Sequence, residues 1–570
     1  MLDQIKQDIR RTLETAVQNA VSEELLQLDQ IPEIVFSPTK TPKHGDIATP
    51  IALTLAKSAQ IPPRKIADII RDQVNASNQP LIEQIDVAGP GFINIFISND
   101  WMIEAMNQIY TQGDDFGKTD HGQGKRILVE FVSANPTGPL NIVSGRAAAV
   151  GDAIVNLLNV AGYQAVREFY VNDAGGQVWR LGASLDVRYR QQLGQADTEI
   201  PEGGYHGQYL IDLAQELQQE VGEKYLELDP SERINAFRHL AIERLLAGQK
   251  QSLERFGVHF DVWTSETTIR QTGAPEKIIQ LFQEQGLLYQ SDGATWFKMT
   301  TFGDDKDAVV IKSDGEYTYL APDAAYHQDK FKRGFETLID ILGPDHQGHV
   351  LHLESLVEAL GYDEQQLECL IMQQVNLIDQ DGNRIDMSKR KGQLVTLNDL
   401  LDQLAEAVDE HFAVDVARYF FLNRTNSSHL DFDLNLAVTR ATDNPVFYLQ
   451  YAHARSCSIF REMAERGFAD FSFQEADLQL LESVDEQQMV KKLAAFPELM
   501  VVAADSRQPH RVVNYLQDLA TQFHTFYNKC RVLDAQQPDL SRARLALVAC
   551  LQIVLRNGLK LLGISAPERM

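Results

Sequence analysis

The chain has 570 residues, 44% of them hydrophobic and 23% charged, with a formal net charge of −28. This length exceeds what one hydrophobic core supports and predicts three or four domains. No apolar run reaches the roughly 18 residues that a transmembrane helix needs, and the strong acidity argues against non-specific binding to nucleic acid. Local clusters of lysine and arginine are still compatible with a specific RNA partner. The amphipathic N-terminus lacks a signal-peptide core, which predicts a cytoplasmic protein without membrane contact.

Residues 1–112 have the pattern of a small α/β domain. Helical periodicity covers residues 2–28 and resumes over 61–74, while the segment IVFSPTK predicts a strand. The later segment IDVAGPGFINIFIS passes through a turn into a strand with alternating isoleucines. Residues 113–124 are rich in glycine and polar side chains, and they predict a linker to the next domain.

The segment VEFVSANPTGPLNIVSGR, residues 129–146, predicts a strand, a loop and the start of a helix. Apolar residues typical of strands precede Asn135, and an alanine-rich stretch with helical spacing begins at Ile142. A helix N-terminus that follows a parallel strand offers unpaired N–H groups to a phosphate or a carboxylate. The same pattern fits an ordinary strand–helix unit, because the loop has neither glycine-rich phosphate fingerprint.

A second strand in AVREFYVNDAGGQ places two strand–helix units in tandem, which predicts a doubly wound parallel sheet over residues 113–442. Residues 180–260 are helical and polar, and they predict an insertion on this sheet. Five further segments predict strands: FDVWTSE, TWFKMT, AVVIKS, ETLIDILG and ECLIMQQVNLI. From about Asp443 the pattern is helical throughout and predicts an all-α bundle over 443–570.

The four cysteines lie far apart without the CxxC spacing of a metal site, and they predict buried thiols rather than disulfides or a zinc centre. They are Cys369, Cys457, Cys530 and Cys550.

The stretch ANPTGPLNIVSGR resembles the ANPTGPLHVGHGR signature of arginyl-tRNA synthetases, class I enzymes whose HxGH core closes on ATP. Asn141, Val143 and Ser144 stand where the family has His, Gly and His. The resemblance implies that Pro139, Asn141 and Ser144 bind ATP and that the last two serve as catalytic hydrogen-bond donors. The motif comprises Ala134, Asn135, Pro136, Thr137, Gly138, Pro139, Leu140, Asn141, Ile142, Val143 and Ser144.

The segment YTYLAPDAAYHQDKF resembles the YxxxD segment of the same family. This implies that Tyr319 and Asp323 line the arginine pocket together with Glu130 and Asn135. A guanidinium is planar, permanently charged and rich in donors, so its pocket needs carboxylates and amide or phenol acceptors. From the residues alone, Asp323 fits a helix N-cap after a proline equally well.

The segment ILGPDHQGHV resembles the family's strand-end segment near the ATP and arginine sites. It implies that His346 contacts arginine and that His349 contacts ATP. Two histidines beside Asp345 also suggest a metal site, but no remote ligand accompanies them and no protein-bound metal is predicted.

The segment RIDMSKRKG, residues 384–392, resembles the KMSKS loop of class I synthetases. Met387, Ser388 and Lys389 match the loop, while Asp386 replaces its first lysine. The resemblance implies that the three matching residues bind ATP and that Lys389 stabilises the phosphate charge as pyrophosphate leaves. A lone SKRKG would otherwise be read as a solvated turn.

The resemblance extends over essentially the whole chain. GDIAT and AGPGFIN match an N-terminal domain that contacts the outer corner of tRNA at its D-loop, and the C-terminal helices match an anticodon-binding bundle. Together these implications predict an α/β multidomain arginine–tRNA ligase with a Rossmann-type catalytic domain. Its expected substrates are L-arginine, ATP with Mg²⁺ carried by the nucleotide, and tRNA(Arg), and it is expected to act as a monomer. The altered ATP motif leaves one alternative, a non-catalytic tRNA-binding relative.

Overall fold

The computed structural model describes residues 2–39, 42–77, 79, 81–98, 100–195, 198–378, 383–385, 396–466, 468 and 471–570. The N-terminal elements are α1 (Leu2–Ser22), β1 (Ser37–Pro38), β2 (Ile47–Thr49), α2 (Ile51–Ala59), α3 (Pro63–Ala76), β3 (Ile82–Ala88), β4 (Phe92–Ile97) and α4 (Asp100–Gln112). The strands form an antiparallel sheet in the order β1-β2-β4-β3. The predicted small α/β unit is therefore present.

Two local predictions in this unit were wrong. The first helix ends at Ser22 rather than at residue 28, and Glu24 turns the chain with a φ of 59°. The strand predicted in IVFSPTK shrinks to Ser37–Pro38, since proline has no amide hydrogen to continue a ladder.

The central region is built on a five-stranded sheet. Its elements are β5 (Arg126–Glu130), α5 (Ile142–Val160), β6 (Gln164–Val171), α6 (Gly176–Gln192), α7 (Gln208–Val221), α8 (Pro230–Arg255), β7 (Val262–Ser265), α9 (Glu266–Gln271), α10 (Ala274–Glu284), β8 (Leu288–Ser291), β9 (Ala294–Phe297), β10 (Ala308–Ile311), α11 (Leu320–Lys332), β11 (Thr337–Leu342), α12 (Val350–Ala359), β12 (Leu367–Ile371), β13 (Val375–Ile378), β14 (Arg384–Ile385), α13 (Leu397–Ala405), α14 (Glu410–Leu422), β15 (Leu430–Asp433) and α15 (Leu434–Val438).

All neighbours in this sheet pair in parallel, in the order β12-β11-β5-β6-β7. Strands β8 to β10 form a separate antiparallel sheet, and the predicted strand in ECLIMQQVNLI divides into β12 and β13. The predicted helical insertion corresponds to α6, α7 and α8, which share a hydrophobic core of their own.

Helix α5 is almost completely enclosed by the rest of the chain. Almost every side chain from Gly145 to Leu158 is buried. Gly151 is required by close packing, because a Cβ at this position would lie 2.2 Å from the ring of Phe131. The glycine therefore lets the helix lie directly on the residue that follows β5.

The C-terminal unit is helical, as predicted. It contains α16 (Pro445–Glu465), α17 (Val484–Ala494), α18 (Phe496–Asp505), α19 (His510–Lys529) and α20 (Pro538–Leu561). Helix α18 packs on α5, and α4 of the N-terminal unit packs on α17 and α20. The predicted linker is held in place, because Asn557 of α20 donates hydrogen bonds to the carbonyls of Gly113 and Phe116.

Three of the four cysteines are buried free thiols, while Cys369 is only half-buried, so the prediction for that residue was wrong. Within the described ranges, every helix is too short or too polar to span a bilayer.

Candidate active site

The carboxylates of Glu130 and Asp340 are neighbours at the point where the strand order of the central sheet reverses. From β5 the chain adds β6 and β7 on one side, and it later adds β11 and β12 on the other. Such a switch point opens a crevice at the carboxyl ends of the strands, where α/β proteins bind ligands. Glu130 is the last residue of β5 and pairs in register with Asp340 of β11. Both side chains therefore lie at the floor of this crevice.

Lys330 of α11 is completely buried and joins these two carboxylates. Its Nζ donates to Glu130 Oε2 at 2.6 Å and to Asp340 Oδ1 at 2.8 Å. Burial disfavours the ammonium charge, but Asp340 and Glu130 outweigh that effect and raise the pKa of Lys330. His327, one turn earlier, bonds Asp340 Oδ2 through Nε2 and the backbone oxygen of Asp323 through Nδ1, both at 2.8 Å.

Asp323 offers an open carboxylate above this network. It is in the first turn of α11 and does not cap the helix, so the N-cap interpretation was wrong. Among the described residues, no group donates a hydrogen bond to its carboxylate. Burial, followed by the charges of Glu266 and Glu130, raises the pKa of Asp323 to about 7, although His327 acts in the opposite direction. A carboxylate held in this way gains most from a cationic partner.

A tyrosine hydroxyl lies close to the same carboxylates. Tyr170 of β6 is buried, and its hydroxyl has no hydrogen-bond partner among the described residues. Burial raises the pKa of Tyr170, and the charges of Glu266, Asp323 and Glu130 add to the effect. A phenol that cannot ionise and a free carboxylate together suit a donor-rich, positively charged group.

Tyr319 precedes α11 and stands at the mouth of the crevice with 46% of its surface exposed. Its hydroxyl bonds His349 Nδ1 at 2.9 Å and lies 3.4 Å from His352 Nδ1. Burial, with the charges of His346 and His352, lowers the pKa of His349. The predicted residues Tyr319, His346 and His349 are thus neighbours. The described residues contain no cluster of three or more side chains suited to a metal ion.

Asn141 caps α5. Its Oδ1 accepts hydrogen bonds from the Ser144 amide at 2.8 Å and from Ser144 Oγ at 3.1 Å. Because Oδ1 of Asn141 already accepts these two bonds, the N–H donors of Nδ2 are the part of the side chain that can bind a ligand at the helix N-terminus. Ser144 supports Asn141 in this arrangement.

The insertion holds the motif loop from outside. Tyr209 of α7 donates its hydroxyl to the Thr137 carbonyl at 2.5 Å, and Gln249 of α8 donates to the carbonyls of Asn135 and Gly138 at 3.1 and 2.8 Å. Asn135 and Pro139 are exposed, so both are accessible from solvent. Of the other motif residues, Ala134 and Val143 are half-buried, while Pro136, Leu140 and Ile142 are buried.

Of the segment RIDMSKRKG, the structure describes Arg384 and Ile385. Met387, Ser388 and Lys389, predicted to bind ATP, lie outside the described residues. Thr396 follows this segment, forms an isolated bridge with Asn141, and caps α13. Thr396 therefore lies beside the cap residue of α5.

Several residues of the site were missed from the sequence, among them His327, Lys330 and Asp340. Two of them carried a usable signal, because His327 and Lys330 follow Asp323 by four and seven residues and share its helix face. Asp340 is a lone charge within the buried strand β11, which is itself unusual. The contributions of Tyr170, Tyr209 and Gln249 depend on tertiary contacts and have no local signature.

Family descriptions match three successive parts of the chain. "Arginyl tRNA synthetase N terminal domain" matches residues 3–97, "tRNA synthetases class I (R), catalytic domain" matches 105–415, and "DALR anticodon binding domain" matches 449–570. The arginine–tRNA ligase of Symbiobacterium thermophilum is 46% identical over 570 residues, with full coverage of both chains. The chain belongs to the arginyl-tRNA synthetase family. The family predicted from the ATP motif and the YxxxD segment is therefore confirmed.

A second relative in the family, the arginine–tRNA ligase of Shouchella clausii, is 44% identical over 569 residues and also covers both chains completely. The arginyl-tRNA synthetase structure of Thermus thermophilus superposes with a TM-score of 0.71 at 22% identity, over 98% of this chain and 100% of that chain. This likeness supports the fold. The predicted multidomain architecture, with a Rossmann-type catalytic region and a helical C-terminal unit, is confirmed.

Proposed function

We propose that this chain joins L-arginine to tRNA(Arg) in two steps. The arginine carboxylate attacks the α-phosphate of ATP and forms arginyl-adenylate as pyrophosphate leaves. A hydroxyl of the terminal ribose of tRNA then takes the arginyl group and releases AMP. Neither step needs extensive acid–base chemistry from side chains, so positioning and stabilisation of phosphate charge supply most of the catalysis.

The observation that carries this proposal is the open carboxylate of Asp323. It has no donor among the described residues, and it lies near Glu130 and the unpaired hydroxyl of Tyr170. In the proposed complex the guanidinium of arginine pairs with Asp323. Glu130 contributes less directly, because Lys330 and Ser133 already donate to its two oxygens at 2.6 and 2.8 Å.

Tyr319, Asn135 and His346 complete the proposed arginine site. Tyr319 is held by His349 and is exposed towards the crevice, so its ring can cover the aliphatic part of the substrate. Asn135 and His346 are also exposed, and their polar side chains are suited to the amino and carboxylate groups of arginine. Such a pocket rejects smaller or uncharged analogues, because they would leave its buried acceptors unpaired.

The nucleotide is proposed to bind at the N-terminus of α5. The Nδ2 donors of Asn141 face the phosphates with Ser144 in support, Pro139 and His349 contact the nucleotide, and Met387, Ser388 and Lys389 bind it from the other side. Mg²⁺ is proposed to arrive with ATP, where it would neutralise phosphate charge. The N-terminus of α5 and its cap residue, which keeps two N–H donors, fit an anionic ligand.

The C-terminal unit, residues 443–570, is proposed to bind the anticodon. A cavity of about 410 Å³ on α16 and α19 is lined by Tyr451, Arg455 and Tyr527, and the Arg455 guanidinium lies 4.3 Å from the centre of the Tyr527 ring. Aromatic rings beside arginine bind unstacked bases of RNA. The N-terminal unit, residues 1–112, is proposed to contact the outer corner of tRNA.

Residues 113–442 are proposed as the catalytic domain, and the enzyme is proposed to act as a cytoplasmic monomer. Arginine-dependent exchange of pyrophosphate into ATP, measured with and without tRNA(Arg), tests the function. We expect exchange that saturates with arginine and ATP. Its absence at saturating arginine, ATP, Mg²⁺ and tRNA would favour the non-catalytic tRNA-binding relative. Binding of tRNA, measured separately, would then distinguish that relative from a misfolded preparation.

A further inference from the structure

Arg146 is a buried cation that is held by backbone carbonyls. It lies in the second turn of α5 and is completely inaccessible to solvent. Its Nη1 donates to the carbonyls of Gln373 and Ser428, and its Nη2 to that of Thr425, all at 2.9 Å. Among the described residues, no acid lies within ion-pair distance. Burial alone lowers the pKa of Arg146 to about 10.

This arrangement is costly, because a buried charge usually requires a counter-ion. The arrangement fixes the position of α5 relative to two loops. The rigid guanidinium fork ties α5 to the loop after β12 and to the loop between α14 and β15. Arg146 follows the cap residue Asn141 by five positions, or roughly 7.5 Å along the helix axis. The attachment therefore fixes the end of α5 proposed to meet the nucleotide.

The same two loops are joined to the C-terminal unit. The Gln373 amide donates to the Asn426 carbonyl at 3.1 Å, and Asn426 Nδ2 donates to the Arg507 carbonyl at 3.2 Å. Arg507 follows α18 with a φ of 54°, a conformation that non-glycine residues rarely adopt. Its guanidinium makes a bidentate pair with Glu368 of β12, at 2.8 and 3.0 Å.

The turn at Arg507, which follows α18, is thus bound to the central domain by both its backbone and its side chain. The neighbouring Asp505 adds contacts with His121 and Tyr163, at 2.9 and 3.2 Å. Helix α18 itself packs on α5. A displacement of the C-terminal unit would therefore reach the N-terminus of α5 both by direct packing and through the loops that Arg146 holds.

We propose that Arg146 and Arg507 are positioning residues for the nucleotide site, Arg146 by orienting the first turns of α5 and Arg507 by linking that orientation to the C-terminal unit. The inference rests on the proposed binding of ATP at α5 and of tRNA by residues 443–570. Neither residue touches substrate. Their effect is confined to the nucleotide and to its response to tRNA, while the arginine pocket on α11 is unaffected.

The test measures the Kd of ATP and of arginine by titration calorimetry, with and without tRNA(Arg), for the wild type and for Arg146→Lys, Asn426→Ala and Arg507→Ala. Lysine keeps the charge at 146 but cannot bind all three carbonyls in a plane. We expect Arg146→Lys to weaken ATP binding by about tenfold, the effect of about 1.4 kcal/mol, with arginine binding changed less than twofold. Arg507→Ala and Asn426→Ala should reduce the effect of tRNA on ATP binding by at least threefold.

Arg511→Ala is the matched control, since Arg511 lies four residues after Arg507, is exposed, and donates to the nearby Gln508. Equal weakening of ATP and arginine binding in Arg146→Lys would indicate a general structural role and overturn the proposal. The proposal would also be overturned if tRNA(Arg) changed the Kd of ATP as much in Asn426→Ala and Arg507→Ala as it does in Arg511→Ala. Because calorimetry needs no turnover, a wild type without ligase activity would defeat the proposed function but leave this comparison valid.

Discussion

The Lys330 ammonium donates a 2.6 Å hydrogen bond to the Glu130 carboxylate from a position with no exposure to solvent. This contact joins helix α11 to the end of strand β5, and the second bond of Lys330 extends it to Asp340 of β11. At the floor of the proposed arginine pocket, one ammonium therefore already pairs with both carboxylates. The carboxylate proposed to meet the substrate's positive charge is that of Asp323.

Replacement of Lys330 by methionine should lower the free energy of unfolding by about 3 to 5 kcal/mol, because it leaves the buried Asp340 and the half-buried Glu130 without their cation. Urea denaturation followed by circular dichroism measures the change. Lys332→Met is the matched control, since Lys332 is exposed on the same helix and should change stability by less than about 0.5 kcal/mol. Equal stability of the two variants would show that the buried network contributes little.

Replacement of Asp323 by asparagine should raise the KM for arginine by about 100-fold or more and leave the KM for ATP within about threefold. Removal of one partner from a desolvated charge pair costs about 2 to 5 kcal/mol, whereas the amide preserves the shape of the side chain. Pyrophosphate exchange at varied arginine and ATP measures both constants. Asp329→Asn, on the exposed face of α11 and paired with Arg333, should behave like the wild type. Unchanged arginine saturation in folded Asp323→Asn would remove Asp323 from the site.

Arginine binding should weaken as the pH falls below about 7. Burial and neighbouring acids raise the pKa of Asp323 to about 7 in the free protein, and only the ionised carboxylate pairs with a guanidinium. The apparent arginine Kd should therefore be flat above that pKa and rise towards tenfold per pH unit below it. Calorimetry between pH 5.5 and 8.5, roughly one and a half units either side of this pKa, measures the profile. In Asp323→Asn the arginine Kd should not rise at low pH. A wild-type profile identical to that of the variant would contradict the proposed role of Asp323.

Two substitutions at Asn141 separate helix capping from phosphate binding. Asn141→Ala loses both the cap and the Nδ2 donors, so it should slow adenylate formation by about 10²- to 10³-fold and destabilise the fold by about 1 kcal/mol. Asn141→Asp keeps the capping oxygen that accepts from Ser144 but loses the donors. It should preserve stability and still lose activity. Single-turnover kinetics and thermal unfolding measure the two effects.

Ser144→Ala should cost less activity than either change at Asn141, because Ser144 Oγ donates to Asn141 rather than standing alone. Normal adenylate formation in both Asn141 variants would instead place the phosphates elsewhere, with the N–H groups of α5 the next candidates.

Patterns local in the chain were predictable from the sequence. The alternation and helical spacing around residues 129–160 predicted β5, the loop and α5, because backbone sterics and side-chain burial act over a few residues. The same reasoning found β7, β9, β10 and β11, and the helices of the C-terminal unit. The motif letters around Asn141 and Asp323 indicated the family, which the comparisons confirmed.

The partners of those residues were decided only by the tertiary structure. Glu130 and Asp340 are 210 positions apart and become neighbours through the parallel pairing of β5 with β11. The sequence did not distinguish a helix cap from a pocket acid at Asp323. The fold excludes the cap, because Asp323 lies within the first turn of α11, beside Glu130 and Glu266. The burial and the electrostatic environment of a site depend on segments that are far apart in the sequence, whereas the sequence itself shows only the residues of each segment.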